Sequence, residues 1–304
     1  MTALRLGTRG SPLARVQTAL VAAALRGHGT ESTEVAISTL GDRDRATSLQ
    51  VLGGQGVFVR EIEAALTEGR IDVAVHSAKD VPTALAPGTC LAAYLPRADV
   101  RDVVVTRGGQ ALDALPPGAR VGTSSRRRAA QLRARWPHLI CVDVRGNVET
   151  RLRKVEDGEC AAVVLAAAGL ARLGRLDVVS AFLEPDVMLP APGQGAIALQ
   201  ARGDDAATLA ALHPLAHAAT EIAVRAERAL LAVLGAGCTL PIGVLGRVDG
   251  AEVHLRAAVF HPDGRRAIRV ERAGPAIDPE AVGRAAGQAL LAEGAAAMLA
   301  EVSA

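Results

Sequence analysis

The sequence predicts an α/β fold made of two lobes on mostly parallel sheets, with a smaller α+β domain at the C-terminal end. Strand-like and helix-like segments alternate over most of the chain, the pattern of parallel sheets covered by helices. The alternation is interrupted twice, at Leu95-Pro96-Arg97-Ala98-Asp99 and at Leu189-Pro190-Ala191-Pro192-Gly193-Gln194-Gly195. Beyond residue 220 the texture changes to strands that follow one another directly. With 304 residues and 50% hydrophobic content the chain can bury several cores.

The first lobe opens with a strand at Leu4-Arg5-Leu6 and a turn at Thr8-Arg9-Gly10. Ser11-Pro12 then supplies an N-cap and a proline at the first helical position, so a helix runs to about residue 26. Val35-Ala36-Ile37-Ser38-Thr39 is the second strand. It leads into a polar, glycine-rich stretch between Gly41-Asp42-Arg43-Asp44 and Gly53-Gly54-Gln55-Gly56, expected to be mobile. A helix over 58–68 places Val59, Ile62, Ala65 and Leu66 on one face, and Ile71-Asp72-Val73-Ala74-Val75 alternates as a strand ending at His76-Ser77-Ala78-Lys79-Asp80.

The second lobe has strands at 102–106, 120–123, 139–144 and 161–165, each running into a polar turn and a helix. Ala196-Ile197-Ala198-Leu199-Gln200 reads as a strand returning to the first lobe, and two crossings of this kind imply a cleft. After a helix over 220–234, strands at 242–248, 253–260 and 266–271 are joined by turns at Asp249-Gly250 and Asp263-Gly264. Helices at 279–293 and 295–302 complete the last domain. The expected domains are therefore 1–98 with 196–217, 99–195, and 218–304, with no internal sequence repeat.

A net charge of +2 and 2% aromatic residues argue against a nucleic-acid module, which needs a basic field and stacking platforms. The start of the chain shows no extended apolar region, and no later apolar run reaches spanning length, so a cytoplasmic protein is expected. Cys90, Cys141, Cys160 and Cys238 form no CxxC pair and have no histidine at zinc-like spacing, so neither a disulfide framework nor a metal site is expected. The first three lie among apolar strand residues and read as buried, inert thiols.

In parallel α/β sheets, ligands bind beyond the carboxyl ends of strands. Polar residues gather there: Thr8-Arg9-Gly10-Ser11, Ser77-Ala78-Lys79-Asp80, Thr123-Ser124-Ser125-Arg126-Arg127-Arg128, Arg145-Gly146-Asn147, and Arg172. Ser124 or Ser125 can cap the following helix, and the guanidinium of Arg127 or Arg128 can hold a carboxylate with two hydrogen bonds. Alone, the arginine run would read as a solvated helix face; repeated at several strand ends, it reads as a cradle for a polyanion. His76 is either a proton shuttle or an orienting, packed residue. Asp80 is either a turn cap or a carboxylate that accepts N–H groups and stabilises developing positive charge. Cys238, in a loop flanked by glycine, is either a buried structural cysteine or, in the company of these groups, an exposed thiol able to act as a nucleophile.

Together these motifs, with Val75-His76-Ser77-Ala78-Lys79-Asp80-Val81-Pro82, Arg145-Gly146-Asn147-Val148, Ala167-Ala168-Gly169-Leu170, Gly193-Gln194-Gly195 and Gly237-Cys238-Thr239-Leu240-Pro241-Ile242-Gly243, closely resemble the porphobilinogen deaminase family over nearly the whole chain. The resemblance implies two periplasmic-binding-protein-like lobes and a third domain carrying the cysteine. It implies a dipyrromethane cofactor on a Cys238 thioether, and a monomeric transferase that joins four porphobilinogen units head to tail, with loss of ammonia, in tetrapyrrole biosynthesis. Asp80 would be the catalytic carboxylate. Cofactor binding would fall to Cys238, Asp80, Lys79, Ser77, Ser125, Arg127, Arg128 and Arg145, and substrate binding to Arg9, Ser11, Arg151 and Arg172.

Two positions depart from the family pattern: Gln55 stands where lysine is common, with Arg60 nearby, and Arg126 where an apolar residue is common. The main competing reading is a two-lobed anion-binding protein without catalysis. Asp80 and Cys238 speak against it, because binding alone needs neither.

Overall fold

A computed structural model describes residues 3–39, 59–235 and 240–303. The Gly41–Gly56 stretch with Gln55, and Cys238, lie outside the described residues. In chain order the elements are β1 (Leu4–Arg9), α1 (Pro12–Gly27), β2 (Ser32–Ile37), α2 (Arg60–Thr67), β3 (Val73–Ser77), β4 (Thr89–Tyr94) and β5 (Asp102–Thr106). Then come β6 (Arg120–Gly122), α3 (Arg126–Arg135), β7 (Ile140–Val142), α4 (Val148–Glu156), β8 (Ala162–Ala166), α5 (Ala167–Arg172), β9 (Ala181–Leu183) and β10 (Ile197–Arg202). The chain ends with α6 (Ala206–Leu212), α7 (Ala218–Val233), β11 (Ile242–Asp249), β12 (Glu252–Phe260), β13 (Ala267–Pro275), α8 (Pro279–Ala292) and α9 (Ala295–Ser303). Two compact units result, Met1–Ala98 with Gly195–Glu221, and Asp99–Gln194 with Ile222–Ala304.

The first unit holds a sheet in the order β2-β1-β3-β10-β4, with β10 antiparallel to both neighbours. Alternation divides its core as the sequence pattern requires: Leu6, Val73, Val75, Ile197 and Leu199 pack with Val21 and Leu25 of α1, while Ala74 faces Ile62 and Leu66 of α2. Ser11 caps α1, accepting from the Ala14 amide, with Pro12 at the first helical position.

The second unit holds two sheets. One has the order β7-β6-β8-β5-β9, with β5 antiparallel to β8 and β9. This repeats the arrangement of the first unit: in each sheet the strand that follows a crossing, β5 or β10, is inserted antiparallel at the fourth position. The other is the antiparallel sheet β11-β12-β13, whose Leu255, Val244 and Val259 pack with Leu230 of α7, Val282 and Leu290 of α8 and Leu299 of α9. A cluster of Ala130, Leu189, Leu245, Ala258 and Phe260 packs α3 onto this sheet, and Arg133 donates to the Pro262 carbonyl at 2.7 Å.

Some features differ from the sequence reading. The strands β4 and β9 and the helix α6 were not anticipated. Cys160 is buried, but Cys90 and Cys141 are only half-buried; burial nonetheless pushes all three thiols up, which suppresses the reactive thiolate. Among the described residues no cluster of His, Cys, Asp and Glu is arranged to hold a metal, and no helix is long and apolar enough to cross a membrane.

Candidate active site

In the first unit β1 and β3 are parallel neighbours, with Leu6 opposite Val73, so their carboxyl ends share one edge. Arg9 ends β1, Ser11 starts α1, Ser77 ends β3, and the single 3-10 turn Ala78–Asp80 follows. That edge thus carries Arg9, Ser11, Ser77, Lys79 and Asp80, all half-buried. Ser77 is fixed by Gln17, whose Nε2 donates to the Ser77 hydroxyl at 2.9 Å while the hydroxyl lies 3.2 Å from Gln17 Oε1. Because Gln17 is buried on α1, the pair locks β3 to α1 just before Lys79 and Asp80.

His76 points into the protein instead. Its Nε2 lies 3.0 Å from Gln200 Oε1, and Gln200 Nε2 donates to Glu63 Oε1 and Thr89 Oγ1, each at 2.8 Å. With the amide so oriented, His76 must donate from Nε2. Burial pushes its pKa below the ordinary histidine value. Of the two readings the packed one holds.

In the second unit β6 lies between β7 and β8, parallel to both, so three strand ends again share an edge. Ser125 is the residue that caps α3, accepting from the Arg128 amide at 3.4 Å, while its own amide donates to Thr123 Oγ1 at 3.2 Å. Asn147 caps α4, accepting from the Thr150 amide at 2.9 Å. Gly146 has φ of +108°, and a Cβ there would lie 2.6 Å from Thr150, so the turn requires glycine. Arg151 Nε donates to the Gly146 carbonyl at 2.9 Å, and its Nη2 lies 3.5 Å from Ser124 Oγ. Arg145 Nε is 3.6 Å from Asp143. Arg172 ends α5 and is desolvated enough to lower its guanidinium from the ordinary value. The amino ends of α3 and α4 add their backbone dipoles to this edge.

Arg127 and Arg128 behave differently from the outward cradle expected of them. Both are buried, and the carboxylate they hold is the protein's own: Arg127 Nη2 donates to Asp102 Oδ2 at 2.8 Å and Arg128 Nη2 to Asp102 Oδ1 at 2.7 Å. Arg127 also donates to the Leu189 carbonyl at 2.6 Å, and Arg128 to that of Val164 at 3.0 Å. Burial alone would raise the Asp102 carboxyl, but the two guanidinium charges override it and hold the group well below the usual carboxylate range. Gln194 Nε2 donates to the same Oδ1 at 2.8 Å. Sequence reasoning missed Asp102 and Gln194. The signal was an acid at the head of the otherwise apolar strand Asp102-Val103-Val104-Val105, since a carboxylate there requires a partner.

Two guanidinium charges therefore meet one carboxylate charge, an excess of one positive charge within this cluster, and the buried Nε atoms of both arginines have no hydrogen-bond partner among the described residues. An anionic ligand beside the cluster would offset that charge.

The comparisons with known proteins agree with that chemistry. The family model for the dipyromethane cofactor binding domain of porphobilinogen deaminase matches residues 4–210, and that for its C-terminal domain matches residues 221–292. The chain belongs to the porphobilinogen deaminase family. It is 50% identical over 299 residues to the porphobilinogen deaminase of Roseiflexus sp. (strain RS-1), covering 98% of each chain. It is 49% identical over 301 residues to that of Acidithiobacillus ferrooxidans (strain ATCC 53993 / BNL-5-31), again covering 98% of each. Among solved structures, a nutrient binding protein from Burkholderia cenocepacia bound to methionine has a TM-score of 0.43 at 14% identity, covering 69% of this chain and 90% of its own. The lobe topology rests on the strand pairing described above.

As a porphobilinogen deaminase family member the protein is an enzyme of tetrapyrrole biosynthesis that polymerises porphobilinogen and has a domain for a dipyrromethane cofactor. The residues present fit that group. Its carboxylates match the guanidinium excess and the amide ends of α3 and α4.

Proposed function

We propose that the chain joins four porphobilinogen units head to tail on a dipyrromethane held by a Cys238 thioether, losing one ammonia per unit, and that water then releases the linear tetrapyrrole. When bound, the cofactor supplies the pyrrole carbon to which the first unit is joined. Ser77, Lys79, Ser125, Arg127, Arg128 and Arg145 hold its carboxylates and Asp80 its pyrrole N–H groups. Arg9, Ser11, Arg151 and Arg172 hold the acetate and propionate groups of the incoming substrate, in bonds that are charge-assisted and directional. Residues 218–304, with a sheet of their own, act as the domain that carries the cysteine. The reading extends to a cytoplasmic monomer, the location expected from the apolar pattern of the sequence and the monomeric state from the family resemblance.

Asp80 is the acting carboxylate. As ammonia leaves, positive charge develops on the pyrrole ring, and a carboxylate accepting the ring N–H lowers the energy of that cation more than that of the neutral substrate. The observation that carries the reading is the excess positive charge of the Arg127, Arg128 and Asp102 cluster, because a protein burying an unbalanced guanidinium needs an anion to offset it.

The Asp80→Asn variant tests the assignment, since it keeps shape and removes charge. It should fold, retain the cofactor by intact mass and lose kcat by at least about 10²-fold, the scale of one removed transition-state contact. A kcat within a few-fold of wild type would take the role from Asp80.

A further inference from the structure

The Gly193-Gln194-Gly195 motif has no part in the chemistry above, yet the segment 189–194 is held by an unusual number of buried polar groups, all within the second unit. Gln131 of α3 grips Leu189 at both backbone atoms, Oε1 accepting from its amide at 2.8 Å and Nε2 donating to its carbonyl at 3.1 Å. The Val244 amide donates to the Pro190 carbonyl at 2.9 Å. Glu227, on α7 and fully buried, accepts from the Gly193 amide through Oε2 at 2.6 Å and from the Gly246 amide through Oε1 at 2.7 Å.

Both glycines are required by this geometry. Gly193 has φ of +72°, and a Cβ on Gly246 would fall 2.9 Å from the Ala223 carbonyl oxygen, so only glycine brings that amide close enough to α7. The next residue, Gln194, is 1% exposed and donates from Nε2 to the Val100 carbonyl at 2.7 Å and to Asp102 Oδ1 at 2.8 Å. Oδ1 is the same oxygen that holds Arg128.

We infer that Glu227 and Gln194 are positioning residues for carboxylate recognition: Glu227 fixes the Gly193 backbone, this fixes Gln194, and Gln194 fixes the Asp102 carboxylate that orients Arg127 and Arg128. The chain of contacts is short and each link is directional. Adjacent Cα atoms are about 3.8 Å apart, so anchoring Gly193 leaves the Gln194 side chain little freedom. Asp102 receives three donors, and losing the neutral one leaves its carboxylate free to turn toward the two cations. The guanidinium planes then tilt with it, because bidentate recognition depends on angle as well as distance. The inference rests on the proposed role of Arg127 and Arg128 toward pyrrole carboxylates.

The test uses the full chain labelled with ¹⁵N, reading the arginine Nε–H resonances of the cofactor-bearing protein alongside the fraction of protein that carries the cofactor by intact mass. In Glu227→Gln, which touches neither arginine, the Nε–H signals of Arg127 and Arg128 should shift, and Gln194→Ala should shift the same two. The fraction of protein that carries the dipyrromethane should fall about fivefold in both, the size of one lost hydrogen bond to the groups that hold its carboxylates. A variant that is merely less stable would lose soluble protein at an unchanged cofactor fraction and leave those resonances in place.

Unmoved resonances with an unchanged cofactor fraction in both variants would overturn the inference, and a shift in Gln194→Ala alone would remove Glu227 from it. Should Glu227→Gln not fold, Gln194→Ala decides. An Arg128→Gln protein with an unchanged cofactor fraction would instead refute the carboxylate-binding role, a result the resonance shifts do not share.

Discussion

His76 shows how this protein manages a polar side chain it cannot expose. Gln200 spends its oxygen on the imidazole and its nitrogen on Glu63 and Thr89, so every partner keeps a fixed donor or acceptor role. The cost appears in acid. Burial holds the folded-state pKa of His76 below the ordinary 6.5, so below about pH 6.5 the unfolded chain takes up a proton that the folded chain refuses. Stability should therefore fall as pH drops below 6.5, with a slope of at most about 1.4 kcal/mol per pH unit from this group. Asp72 acts in a separate window: hydrogen bonds from Arg5 lower its carboxyl to about 2, so its contribution is complete above 3.8 and is lost as pH falls through about 2. Urea midpoints of wild type and His76→Gln, compared from pH 5 to 7.5, should differ by an amount that shrinks toward acid. A constant difference would mean that His76 titrates normally. At this scale the caps Ser11 and Ser125 and the polar strand ends were legible, because each follows from local backbone need. Asp102 and Gln194 were not, since their partners lie 25 to 92 positions away and nothing local marks the pairing.

Among the elements, those with strong periodicity stand where the sequence places them, β5 at Asp102–Thr106 and α8 from Pro279 among them. The strand β4, Thr89-Cys90-Leu91-Ala92-Ala93-Tyr94, escaped because its alanines and half-buried first residues give no alternation. The three-residue β9 is too short to carry a period. Nor does a strand's sequence state its direction, and the antiparallel insertion of β5 and β10 had no local sign. Helix packing gives a sharper test of this level. Gly283 of α8 lies so close to α7 that a Cβ would fall 2.1 Å from the Ala226 carbonyl oxygen and 2.8 Å from Ala229 Cβ. Helix propensity favours alanine over glycine by about 1 kcal/mol, but here the overlap is with backbone and cannot be relieved by a rotamer change. Gly283→Ala should therefore lower stability by about 2 kcal/mol net, in the range of core overpacking, seen as a reduced urea midpoint at unchanged m-value. A stabilised variant would show that α7 and α8 separate without cost.

For the whole molecule, a formal charge of +2 hides the arrangement that matters, because the arginine excess at the strand ends of the second unit is cancelled elsewhere in the count. The repeated strand order of the two sheets was equally hidden, since the same topology is reached here by segments with no visible sequence repeat. The central proposal joins two residues read from the sequence: Cys238 as the carrier of the growing chain and Asp80 as the group that eases each condensation. Mass spectrometry of the denatured, intact protein tests that claim most directly. Wild type should be heavier than its sequence by one dipyrromethane, and Cys238→Ser should return to the sequence mass and lose activity. A wild-type protein at its bare sequence mass that still turns over porphobilinogen, or a Cys238→Ser protein that keeps the added mass, would contradict the account.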